Sequence, residues 1–147
     1  ASPSTGATLN VDIKSASMDW IDLHNSLVSW HSAIINVETI VQSIPESQRF
    51  VIWGGGAHTE YLYQLTSLFH SRSDCEFMIV DSDPLKFGKT WRGLTIYHPS
   101  LITDIDWNSA NLLISSYGAQ DSIYEAALEL GAPASNIFRF YESTRIY

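Results

Sequence analysis

Three consecutive glycines, Gly54, Gly55 and Gly56, stand between an apolar β-forming run, "RFVIW", and a helix-forming stretch that opens with His58, Thr59 and Glu60. Glycine lets the backbone take left-handed conformations and pass close to a ligand, and the N–H groups that open a helix attract anions. This spacing therefore suits a phosphate. Against the dinucleotide fingerprint G-x-G-x-x-G, Gly54 and Gly56 match while Thr59 takes the place of the third glycine. Asp81 ends the next apolar run, "EFMIV", close to where an acid holds ribose hydroxyls in dinucleotide enzymes. Glu60 argues the other way. A carboxylate in the first helical turn complements the dipole by about 0.3 to 1 kcal/mol and repels a second anion. A plain structural bend between strand and helix is the competing reading of the same glycines.

Further side chains could join a ligand there. Ser115 and Ser116 close the apolar run "NLLISS" and suit a ligand hydroxyl or phosphate, though serine after a strand also forms turns. His58 could hydrogen-bond a ligand or move a proton, or stand exposed in a helical turn. Lys86 and Lys89 lie in the turn-rich stretch "DSDPLKFGKTWRG" and could swing in to meet a charge. Asp83 and Asp121 could join Asp81 in a carboxylate cluster, yet "DSDP" is also an ordinary turn in which Asp caps its own backbone. No base is assigned to either serine, so nucleophilic catalysis lacks support. His24, His31, His70, His98 and Cys75 have no metal-ligand spacing, and no metal site is expected.

The elements that must position these residues follow from periodicity. From Arg49 onward, short apolar strands alternate with helical stretches near Thr59 to Phe69 and Gln120 to Leu130, the second stopped by Gly131 and Pro133. The strands are almost wholly apolar, which predicts a sheet covered on both faces. The expected fold is α/β, a three-layer Rossmann-like, mostly parallel sheet of about five strands. In such a sheet the ligand site lies beyond the C-terminal strand ends, where Gly54 to Thr59, Asp81 to Asp83 and Ser115 to Gly118 converge.

Ahead of it, apolar residues recur at Trp20, Leu27, Ile34 and Val41 and again at Leu23, Trp30, Val37 and Ile44, which is helical spacing. Ser17 suits an N-cap, and Pro45 disfavours helical geometry at Ile44. The expected organisation is a flexible arm over 1–16, a helical leader over 17–45 that is one long helix or a pair, and the Rossmann-like domain over 46–147. Ile21, Val28 and Ile35 widen the stripe, which favours a docked or bundled helix over a free two-stranded coil. A chain starting at Ala1 is read as trimmed or as part of a longer polypeptide.

Composition narrows the function classes. Hydrophobic residues at 45% and charged residues at 16% describe a folded protein. The net charge of −8, with scattered Lys and Arg, gives no basic patch for nucleic acid or an anionic membrane. One cysteine allows no internal disulfide, no apolar run nears the roughly 20 residues of a membrane span, and no signal peptide opens the chain, so a cytoplasmic setting is expected.

The runs "VIWGGGAHTEYL", "IVDSDPLKFGKTWRGLTIYHPSLI", "NLLISSYGAQDSIYEAALELG" and "NIFRFY" together resemble the C-terminal domain of bacterial sugar C-methyltransferases, and are similar to the domain that opens some sugar-amine acyltransferases. The shared elements are the strand-Gly-x-Gly turn, the loop D-x-D-P-x-K-x-G-K with a later Gly93, and the final strand after a helix. The resemblance spans roughly Arg49 to Tyr141. It implies an accessory, non-catalytic domain that binds a nucleotide or nucleotide-sugar or docks to an enzyme of bacterial glycan synthesis. Two alternatives stand beside it: an NAD(P)-dependent oxidoreductase fragment, from Gly54, Gly56 and Asp81, and a structural dimerisation module acting through the N-terminal helix. No cofactor is required by the sequence. A ligand, if bound, is expected to meet Asp81 and the serines with its sugar or base, and Lys86 or Lys89 with its charge.

Overall fold

The computed structural model describes the backbone of residues 4–142 and the side chains of residues 20–142. The chain divides into two compact units, residues 1–36 and residues 37–147. A helix, α1 (Ser4–Ser43), supplies all the regular structure of the first unit and delivers its last turns to the second. It starts well before the expected cap at Ser17, so helical backbone takes in most of the segment expected as a loose arm. Among the described residues no helix is long and apolar enough to cross a membrane.

The second unit continues with β1 (Arg49–Trp53), α2 (Ala57–Leu65), β2 (Glu76–Val80), β3 (Thr90–Trp91), β4 (Leu94–Tyr97), β5 (Ala110–Ile114), α3 (Gln120–Glu129) and β6 (Ile137–Arg139). Short 3₁₀ turns occupy Pro84–Lys86, Pro99–Asp104 and Ala134–Asn136. The sheet order is β3-β4-β2-β1-β5-β6, parallel throughout except for the β3–β4 pair. The sheet thus has six strands rather than about five. The extra one is the two-residue β3, which lies inside the turn-rich stretch and is too short to carry a period-2 signal.

Without β3, the parallel strands run third, second, first, fourth, fifth in chain order, the order of a Rossmann-like sheet. The chain leaves β1 towards β2 on one side and later returns to β5 on the other, so a crevice opens between the ends of β1 and β5. Their registers match, with Trp53 opposite both Val80 and Ile114.

Strand alternation builds two cores. On one face Val51, Trp53, Leu112 and Ile114 meet Ile123 and Ala127 of α3 and Ile102 of the second 3₁₀ turn. On the other, Phe50, Ile52 and Leu113 pack with Leu62 of α2, Leu68, and Val37, Val41 and Ile44 from the end of α1. This makes the three layers expected from the apolar strands. Glu38 fastens the α1 end by accepting hydrogen bonds from the Ser67 N–H at 2.9 Å and its hydroxyl at 2.5 Å. Arg72 closes the same end, donating to the carbonyls of Val41 at 2.8 Å and Ile44 at 3.2 Å.

Leu113 is fully buried at the centre of the face covered by α1 and α2. Leu113→Ala is expected to destabilise the protein by about 2 to 5 kcal/mol, through lost transfer energy and an unfilled cavity, with urea denaturation as the measurement.

Candidate functional site at the glycine turn

The turn after β1 is fixed by local sterics. Gly54 has φ +134°, and a Cβ there would stand 2.5 Å from the Ser115 carbonyl oxygen, so both backbone angle and space require glycine. Its N–H donates to the Val80 carbonyl at 2.8 Å, which extends the β1–β2 ladder into the turn. Gly55 lies against Ile96, and Gly56 is the N-cap of α2, a cap with no side chain to satisfy the first-turn N–H groups. N–H groups left open at a helix start of this kind attract anions.

Asp81 holds the turn from the end of β2. One carboxylate oxygen accepts from the Gly55 N–H at 2.7 Å and from Lys86 Nζ at 3.3 Å, and the other accepts from the Asp83 N–H at 2.8 Å. Burial raises the pKa of this carboxyl, but the two N–H donors and the lysine outweigh burial and hold it below the usual value. Lys86 Nζ also lies 3.2 Å from where a Gly56 Cβ would stand, so an ammonium sits directly over the glycine turn.

Ser115, His58 and Thr59 form a second set of contacts on the β5 side. The Thr59 hydroxyl donates to the Gly54 carbonyl, so its only proton is committed. Ser115 Oγ, 2.8 Å from Thr59 Oγ1, must then donate to it. His58 Nδ1, also 2.8 Å from Ser115 Oγ, must in turn carry the proton it shares with the serine. His58 Nε2 is left to accept from the Tyr141 hydroxyl at 2.6 Å. The protons run one way, from Tyr141 through His58, Ser115 and Thr59 to the Gly54 carbonyl. Burial lowers the His58 pKa and raises that of Tyr141, which favours the neutral imidazole and the protonated phenol this chain needs. Because His58 donates to Ser115, it is not placed as a base for that hydroxyl.

Glu60 is engaged by the β3–β4 hairpin. Its carboxylate accepts from Arg92 at 2.6 Å and 3.1 Å and from Trp91 Nε1 at 2.9 Å, which ties the β3–β4 hairpin to the first turn of α2. Arg92 and Gln64, as hydrogen-bond donors, depress the Glu60 pKa to about 2. Arg92 also lies over the Tyr63 ring, 3.7 Å from its centroid, and takes the left-handed φ of 45° to reach there. The repulsion expected between Glu60 and a ligand anion is thereby largely cancelled, since a guanidinium neutralises the carboxylate in place.

No family model and no curated protein matches the chain. Among solved structures, it is similar to part of the crystal structure of the methyltransferase FkbM from Methylobacillus flagellatus KT, at 20% identity and a TM-score of 0.47. The matched region covers 71% of this chain and 27% of that one, so the chain spans about a quarter of the length of that protein.

The structure brings Gly54, Gly55, Gly56, His58, Thr59, Asp81, Lys86 and Ser115 together around the crevice. Ser116 lies beside them but is used locally, its hydroxyl accepting from the Ala119 N–H at 3.2 Å ahead of α3. Lys89 is exposed, between the first 3₁₀ turn and β3. Asp83 caps the first 3₁₀ turn through the Leu85 N–H, and Asp121 stands near Arg139 at 4.0 Å, so the three aspartates do not gather. Among the described residues no three His, Cys, Asp or Glu side chains cluster as a metal site requires. Sequence reasoning missed Arg92, Tyr141 and the fully buried Gln120. Gln120 holds Tyr141 in place by donating to its carbonyl at 2.9 Å and accepting from its N–H at 3.1 Å. These links cross long chain distances and leave no local spacing signal.

Two outcomes test this geometry. Because the His58 pKa lies below its ordinary 6.5 in the folded state, the unfolded state takes up the proton more readily. Its stabilising contribution is complete above about pH 6.5 and is lost as the pH falls from there through the depressed folded value. His58→Gln is expected to cost about 1 to 2 kcal/mol at pH 7.5 and to flatten the decline between pH 7 and pH 5, read by chemical denaturation across that range. In Arg92→Ala, the Glu60 pKa is expected to rise from about 2 towards the ordinary carboxylate value of 4.5, as NMR titration of its side chain would show.

Proposed function

We propose that the chain is a non-catalytic, Rossmann-like binding module that takes a nucleotide or nucleotide-sugar at the C-terminal edge of its sheet. The observation that carries this reading is the glycine turn at the β1–β5 crevice, where an uncapped helix start, Lys86 over Gly56 and a neutralised Glu60 favour a phosphate. Lys86 would pivot from Asp81 to the phosphate, a charge-assisted contact worth about 1.5 to 3 kcal/mol. The sugar or base would lie towards the Ser115 and Tyr117 end of the crevice. Resemblance to accessory domains of sugar-modifying enzymes supports a nucleotide-sugar as the ligand class and an enzyme of glycan synthesis as its setting.

Two features favour binding over reaction. The one-way proton chain presents Ser115 as an acceptor from His58, and the Asp81 carboxylate is occupied by backbone N–H groups of the glycine turn and of its own loop, which weakens the case for a ribose-holding acid in an NAD(P) oxidoreductase. Calorimetric titration with a panel of nucleotides and nucleotide-sugars, with NADH alongside, tests the reading. Saturable heat is expected with at least one nucleotide-sugar, and Lys86→Ala is expected to weaken it by about tenfold or more. No heat with any nucleotide or nucleotide-sugar at millimolar concentration overturns the proposal, as does binding that is indifferent to Lys86→Ala.

A further inference from the structure

Among its described residues, the helical unit carries an exposed apolar stripe. Trp20, Leu23, Leu27 and Trp30 follow the alternating spacing of a helix–helix seam, and Ile21 and Val28 broaden its edge. All six are exposed, with Trp20 at 68% and Trp30 at 59%. Exposed large side chains at this density offer on the order of 800 Å² of mostly apolar surface per chain, about the share each partner gives to a standard stable interface. Further along the same helix the pattern is already used, since Val37 and Val41 are buried in the α/β body, as is Ile44 just past the helix end.

We propose that this stripe is the self-association surface of the protein, and that its occupant is the same stripe of a second copy. Three observations select a second copy. The seven-residue repeat is self-complementary, so the Trp and Leu side chains of one helix meet equivalent holes on another. Between Trp20 and Asn36 the only Asp, Glu, Lys or Arg is Asp22, so two chains of net charge −8 can approach here without like charges along the seam. The segment also lacks the Lys and Arg that accompany the apolar face of a helix lying on a lipid surface.

Sedimentation equilibrium of the full chain over about 1 to 100 µM tests this, a range that spans micromolar dissociation constants. The expected result is a concentration-dependent dimer or higher assembly. Trp30→Asp places a charge in the seam and is expected to weaken association by roughly a hundredfold, since burying an unpaired carboxylate is heavily penalised. Ser29→Asp, on the opposite side of the helix beside Asp22, is expected to leave association unchanged. Near-ultraviolet circular dichroism and the denaturation midpoint verify that the α/β body of each variant stays folded. A wild-type chain that is monomeric throughout, or a folded Trp30→Asp variant that associates as the wild type does, overturns the proposal.

Discussion

One carboxylate organises the C-terminal edge of the sheet. Asp81 directly follows β2, is buried, and spends both oxygens on the backbone of two different loops, the glycine turn through Gly55 and its own loop through Asp83. Hydrogen bonds from N–H groups to a buried charge are among the stronger ones a protein makes, and a buried carboxylate without them would be costly. The glycine turn can therefore keep its open geometry without a ligand. Lys86 completes the charge balance with a single contact at 3.3 Å.

The opposite wall of the crevice is fixed by hydroxyls instead of charges. The proton direction along Tyr141, His58, Ser115 and Thr59 is set at its far end, because the Thr59 hydroxyl must satisfy the Gly54 carbonyl. Each later donor follows from the one before it. A network satisfied in this way is rigid and specific, while one missing member would leave a buried polar group unpaired. The same hydroxyl and imidazole that look like reacting groups in isolation are here occupied with holding the turn against β5 and the end of the chain.

Much of this fold was legible because it depends on local pattern. The strand runs "RFVIW", "EFMIV" and "NLLISS" read as buried strands, and β1, β2 and β5 fall on them; Gly54 is required by the sharp exit from β1, a turn the glycine run already signalled. What was not legible depends on pairings between distant residues. Glu60 reads as a repulsive charge in sequence because Arg92, its partner, reaches it only when the β3–β4 hairpin folds back over α2. Tyr141 reads as a strand residue, yet β6 ends at Arg139, and Gln120 turns the following backbone so that the phenol meets His58. The start of α1 was misplaced because a Ser cap is a weak signal when small, helix-tolerant residues precede it.

The route from β2 to β4 explains why these distant pairings matter. A Rossmann-like crossover normally lays a helix against the sheet at this point, but here the chain makes only a 3₁₀ turn and the short β3 before entering β4. With no helix to bury, the segment stays over the glycine turn as a roof, and it needs other anchors. Asp81 and Asp83 hold its first half through backbone N–H groups, and Glu60 holds its second half through Trp91 and Arg92. The acid in the first turn of α2 thus fastens the hairpin while its charge is cancelled beside the anion site. Two ion pairs, Asp81 with Lys86 and Glu60 with Arg92, leave the donors at the start of α2 as the uncompensated positive feature of the crevice.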